Sequence, residues 1–144
     1  MSRAERALAW LLRLEAFTLL FALPAALLPT AWMDAIGRSL GLEELPRAPL
    51  VEYLTRSLSL MYAGWAPVLW VLASDLKRYL PLLWVYSWMA LAFAPAILTI
   101  DLVAGMPAGW VVGEAVTVTA LAVAGLVLVW RVQREHRSDD AQPL

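Results

Sequence analysis

The amino-acid sequence predicts an all-α membrane protein. We expect an antiparallel four-transmembrane-helix bundle with a short amphipathic interfacial helix between spans one and two. Hydrophobic residues make up 62% of the chain and charged residues 16%, and the mean hydropathy is +0.69. The hydrophobic fraction and the mean hydropathy lie above those of a soluble domain with a hydrated surface, and the charged fraction lies below.

The apolar residues fall into long stretches, which are the predicted spans: about 7–28, 50–73, 80–100 and 110–130. Each is close to the roughly 20 residues that cross about 30 Å of hydrocarbon. Because the stretches occupy most of the 144 residues, we expect a single integral membrane domain over residues 1–144. Glu15 interrupts the first stretch, so we interpret it as a retained helix rather than a cleaved signal peptide.

The basic residues predict the orientation in the membrane. Eight of the eleven lie on one predicted side: Arg3, Arg6, Arg13, Lys77, Arg78, Arg131, Arg134 and Arg137. Cytoplasmic segments carry an excess of Lys and Arg. We therefore expect both termini, the 74–79 connection and the tail at 131–144 in the cytoplasm, which agrees with an even number of spans.

An amphipathic helix is predicted at about 31–40. Its apolar side chains recur at helical spacing: Trp32, Met33, Ile36 and Leu40. Asp34 and Arg38 take the opposite face, so the segment fits a helix at the outer membrane interface. Two interpretations stay open: the helix covers the end of the bundle, or it forms a lid over a pocket.

Ionisable residues occur inside the predicted spans. Glu52 and Arg56 lie four residues apart on one face of the second span, and Asp101 and Glu114 lie at the outer ends of the third and fourth. The topology predicts that all four converge in the outer half of the membrane. One interpretation makes Arg56 the hub of an ion-pair network that aligns three helices. In the other, the surplus carboxylates bind a proton, a cation or a polar ligand.

The fourth span carries a line of small residues: Gly109, Gly113, Ala120 and Ala124. Small residues let helix backbones approach closely in membranes, so this line predicts helix packing. Trp65 and Trp88 are predicted near mid-depth. An indole N–H at that depth needs an acceptor in the bundle or in a neighbouring protein.

Several functional classes are disfavoured. The chain has no cysteine, and His136 is the only histidine, so we expect no metal site and interpret His136 as a solvated tail residue. No phosphate-binding glycine loop is present, and the serines of the spans have no histidine partner there, so we expect no catalytic residues. The net charge of −1 gives no argument for nucleic-acid binding.

Two segments carry a resemblance to a known family. TRSLSLMYAGWAP in the second span and DLVAGMPAGWVVGE at the third connection are similar to motifs of the DoxX-like superfamily of small four-helix bacterial membrane proteins. The resemblance covers about residues 50–130. It implies an antiparallel four-helix bundle in the bacterial inner membrane, and a link to membrane redox complexes or quinone chemistry.

Three functions are compatible with these patterns. The first is a non-catalytic accessory or structural subunit of a larger membrane protein complex, with membrane lipids and other membrane subunits as partners. The second is a protein that binds a small ligand, lipid or quinone in an outward-facing polar pocket near Glu52, Arg56, Asp101 and Glu114. In both cases we expect no cofactor that is held by side chains of this protein as ligands. A non-covalently bound lipid or quinone is compatible with both. A transporter or channel ranks lowest, because four spans without an internal repeat need oligomerisation to make a pathway.

Overall fold

The computed structural model describes residues 1–42 and 46–140, and all regular structure within them is helical. The helices are α1 (Arg3–Leu20), α2 (Ala22–Leu27), α3 (Thr30–Ser39), α4 (Pro49–Leu72), α5 (Leu76–Ala104) and α6 (Ala108–Asp140). The all-α prediction is confirmed for these residues.

Three helical segments are long and apolar enough to cross a membrane: Arg3–Leu27, Leu76–Ala104 and Ala108–Ser138. They indicate a multi-pass membrane protein. The predicted second span also forms a helix, α4, but it is not one of these three. Its first half contains Arg56 and several hydroxyl side chains, which lower its mean hydropathy. The four-span arrangement therefore stays a prediction.

The first predicted span is interrupted by a proline. α1 ends at Leu20, and α2 starts at Ala22. Pro24 has no N–H to donate to the carbonyl of Leu20, and its ring clashes with a helical carbonyl at that position. The helix is therefore broken at Phe21, and α1 and α2 together form the membrane-length segment Arg3–Leu27.

The predicted amphipathic helix is confirmed as α3, with its apolar side outward. Trp32, Ile36 and Leu40 are exposed, whereas Asp34 is buried and lies 4.0 Å from the Arg47 guanidinium. Gly41 ends the helix with φ of 79°, a left-handed conformation that glycine adopts without steric cost. The outward apolar face suits a helix at a membrane interface.

The described chain divides into two compact units. Unit 1 contains residues 1–12 and 71–140. In it α5 packs along α6, and Leu83, Val129 and Val132 are fully buried. The turn between these helices follows Gly105, whose φ is 70°. Unit 1 is thus built on a helical hairpin.

Unit 2 contains residues 13–70, described apart from 43–45. Its buried side chains are mostly small: Ala16, Ala26, Ala63, Ala66 and Leu69. Small side chains allow close approach of helix backbones, which suits a core whose one large buried hydrophobic side chain, among the described residues of unit 2, is Leu69.

Candidate functional site

Arg56 is the centre of a hydrogen-bonded group in unit 2. Its Nε and Nη2 both donate to Oε1 of Glu52, at 3.1 and 2.9 Å. Its Nη1 donates to the backbone carbonyl of Ala26 at 2.8 Å. The predicted Glu52–Arg56 pair is therefore present, and the guanidinium also joins α4 to the end of α2.

The carbonyl of Ala26 needs this donor. It lies in the last turn of α2, where carbonyls have no intrahelical partner. Pro29, three residues further on, has no N–H to donate, and the extended backbone at Leu28 and Pro29 ends the helical path before the N–H of Thr30. Arg56 supplies the missing hydrogen bond, and Ala26 itself is buried.

A cavity of about 360 Å³ lies beside this group, between the start of α3 and the start of α4. Glu52 and Arg47 are its charged wall residues, and the rest is mainly apolar: Thr30, Ala31, Met33, Pro46, Ala48, Pro49, Val51 and Thr55. An apolar space with few polar groups has the composition of a small-ligand site.

The two other members of the predicted cluster lie in unit 1. Asp101 is buried near the end of α5, and its Oδ2 has no hydrogen-bond partner among the described residues. Glu114 accepts a hydrogen bond from Trp110 Nε1 at 2.7 Å. Their convergence with Glu52 and Arg56 stays a prediction.

His136 forms a contact that the sequence did not predict. Its Nε2 lies 2.8 Å from Oε1 of Glu5, and only 21% of its side chain is exposed. The interpretation of His136 as a solvated tail residue is wrong. α6 continues to Asp140 instead of ending at the predicted boundary, and this continuation turns His136 toward α1.

The position of Glu5 at the start of α1 could have been predicted from the local sequence. Ser2 and Glu5 form a reciprocal capping box: the Glu5 N–H donates to Ser2 Oγ, and the Ser2 N–H donates to Glu5 Oε2. The S-x-x-E spacing in the sequence predicts this capping box. No local signal connects Glu5 to His136, which lies 131 residues away.

A second cavity of about 360 Å³ adjoins the Glu5–His136 contact within unit 1. Its polar wall includes Ser2, Asp75, Lys77 and Glu135. Glu135 Oε2 is buried without a hydrogen-bond partner in the described chain. Within residues 1–42 and 46–140, no three His, Cys, Asp or Glu side chains are placed to hold a metal ion.

The predicted helix-packing line on α6 faces outward at its start. A Cβ added at Gly109 or Gly113 meets no atom of the described chain within 4 Å. Ala120 is exposed and Ala124 half-buried. The line is therefore accessible to a neighbouring helix, and its role in packing stays a prediction.

Searches for related proteins found no matching family model, curated protein or solved structure. The resemblance to the DoxX-like superfamily therefore stays an expectation, carried by the two short segments.

Proposed function

We propose that this protein is a non-catalytic accessory or structural subunit of a larger membrane protein complex. The observation that carries the proposal is the environment of Trp88. Its side chain is 55% exposed in the middle of α5, and its indole N–H has no acceptor among the described residues. Lipid chains offer no acceptor at this depth, whereas a neighbouring protein does.

Two other tryptophans donate their indole N–H to a side chain of this protein. Trp84 Nε1 donates to Gln133 Oε1 at 2.7 Å, which joins α5 to α6. Trp110 Nε1 donates to Glu114. Trp88 stacks against Trp84 with ring centroids 6.4 Å apart, so its ring is held in place while its N–H is left for another molecule.

The glycine face of α6 supports the same proposal. Gly109 and Gly113 are exposed, and the space over their Cβ positions is open. Small residues spaced four apart favour close contact with another membrane helix. This face and Trp88 are two features that a partner subunit would cover.

The setting follows from the sequence predictions. We propose a four-span protein of the bacterial inner membrane with both termini in the cytoplasm, in agreement with the distribution of basic residues. The resemblance to the DoxX-like superfamily makes a redox-linked complex the assembly to test first.

Purification in mild detergent followed by mass spectrometry tests the proposal. We expect stoichiometric partner proteins with the natural chain, and their loss from Trp88→Phe, which keeps an aromatic ring but removes the N–H. Trp10→Phe is the matched control. Trp10 is also exposed, but it lies near the predicted inner boundary, where water and headgroups accept hydrogen bonds.

A monomer without partner proteins that is stable in detergents mild enough to preserve membrane complexes would contradict the proposal. Equal retention of partners by the natural chain and Trp88→Phe would exclude the Trp88 N–H as the contact that holds them.

The cavity beside Glu52 favours a second candidate, a binding protein for a small amphiphile such as a lipid or quinone. Its apolar wall suits a hydrocarbon portion. Oε1 of Glu52 binds Arg56, which leaves the other carboxylate oxygen for a polar head.

Filling the cavity tests this candidate. Ala31 is exposed and lines the space, so Ala31→Trp should displace a co-purified amphiphile. Ala35→Trp is the control, because Ala35 is exposed on the same helix and is not part of the cavity wall. An amphiphile retained equally by both variants would exclude this cavity as the binding site.

A further inference from the structure

An exposed stripe near the end of α6 combines apolar and cationic side chains. Val123, Val127, Trp130 and Arg134 follow at intervals of four, three and four residues, which places them on one helical face. All four are exposed, and Arg131 is exposed beside Arg134. With 1.5 Å of rise per residue, Val123 lies about 10 Å along the helix from Trp130, within the depth of one membrane leaflet.

Arg134 is held against the indole ring of Trp130. The guanidinium carbon lies 3.8 Å from the ring centroid, a cation–π contact. Arginine typically makes such contacts by stacking its planar guanidinium on the ring, an arrangement that leaves the N–H donors in the plane able to bind a phosphate.

The nearby carboxylates do not neutralise these arginines. Glu135 follows Arg131 by four residues, the spacing of a helical ion pair, but it lines the cavity inside unit 1. Glu5 binds His136, and Asp75 accepts from the backbone N–H of Arg78. In the chain as described, no salt bridge joins Arg131 or Arg134 to a carboxylate.

We propose that this stripe is a binding site for an anionic phospholipid. Arg131 and Arg134 bind the headgroup phosphate, Trp130 lies at the level of the glycerol backbone, and one acyl chain runs along Val127 and Val123. Charge complementarity selects this occupant. The α6 of a second copy, running in the same direction, would bring like charges together at both arginines.

Native mass spectrometry of the full chain in detergent, titrated with phosphatidylglycerol or phosphatidylcholine, tests the site. We expect tighter binding of phosphatidylglycerol. Removal of each arginine by Arg131→Gln or Arg134→Gln should weaken it about fivefold, because a basic residue near an anionic surface contributes about that factor. A photoreactive phosphatidylglycerol should crosslink to α6 around Val127.

The matched control is Lys77→Gln. It removes one exposed positive charge from unit 1 at the start of α5, and Lys77 is not part of the stripe. It should leave phosphatidylglycerol binding within about twofold of the natural chain, since the charge it removes does not contact the lipid. Arg134→Lys keeps the positive charge. It provides a second test of the site if the glutamine variants fold poorly. It should weaken binding because an ammonium cannot stack on Trp130 and present a planar set of donors.

Three outcomes overturn the proposal: equal affinity for the two lipids, an equal effect of Lys77→Gln and the arginine variants, or crosslinks that lie away from α6. A protein found on this stripe in place of lipid would also overturn it. None of these outcomes bears on Trp88, so failure here is distinct from failure of the proposed subunit function.

Discussion

Two polar contacts of the described chain, Glu5–His136 and Glu52–Arg56, differ in range and in burial. In unit 1, Glu5 and His136 join helices that are 131 residues apart, with only 10% and 21% of their side chains exposed. In unit 2, Glu52 and Arg56 lie one helical turn apart, with 54% and 30% exposed. One contact is buried and long-range, and the other is local and partly hydrated.

The comparison shows that a contact which is easy to predict from helical spacing need not contribute much to stability. A local pair forms wherever the helix forms, but water competes for its charges, so its net contribution is small. A buried contact between distant segments contributes more, because removing one partner leaves the other without its hydrogen bond. Arg56 belongs to both classes, since it also binds the carbonyl of Ala26.

The largest expected effect is at the buried contact. His136→Ala should lower the free energy of unfolding by about 2 kcal/mol, because the carboxylate of Glu5 stays buried and loses its hydrogen bond with His136. Thermal unfolding in detergent measures it. Arg137→Ala is the control, since Arg137 is exposed on the next position of α6. Equal midpoints for the two variants would show that the contact carries no stability.

A smaller effect is expected at Arg56. Arg56→Leu should cost about 1 to 2 kcal/mol, mainly because the buried end of α2 loses the donor to its Ala26 carbonyl. The yield of folded protein in detergent and the unfolding midpoint both measure it. Arg6→Leu is the control, an exposed arginine on α1. An unchanged midpoint for Arg56→Leu would argue against a structural role.

The smallest effect is expected at Glu52. Glu52→Gln should cost less than about 0.5 kcal/mol, because the pair is four residues apart and the carboxylate is half-exposed. Arg56 keeps its bond to Ala26 in this variant. Comparison of Glu52→Gln with Arg56→Leu in the same unfolding assay separates the ion pair from the backbone contact. A loss as large as that of Arg56→Leu would show that the ion pair dominates.

The helices were largely predictable from the sequence. The predicted spans at 50–73, 80–100 and 110–130 correspond to α4, α5 and α6, because runs of apolar residues between turn signals report helix formation directly. The ends were less predictable. α6 continues ten residues beyond its predicted boundary, since the RVQREHRSDD segment is polar but has no helix-breaking residue before Asp140.

The candidate sites also contain features that were predictable from the sequence and features that were not. The Glu52–Arg56 pair and the exposed small residues of α6 follow from spacing along one helix. The cavity beside Glu52 does not, because its wall combines α3, α4 and the segment before α4. Spacing within one helix carries no information on which surfaces meet.

The sequence alone determined the helical class, the membrane-length apolar segments and the local charge pair, because each depends on residues within a few turns of one another. Only the tertiary structure decided that Arg56 binds Ala26, that Trp84 binds Gln133 and that His136 binds Glu5. These bonds join segments 30, 49 and 131 residues apart. A distant donor and acceptor meet only after the helices pack, and packing depends on the shape of whole helix surfaces.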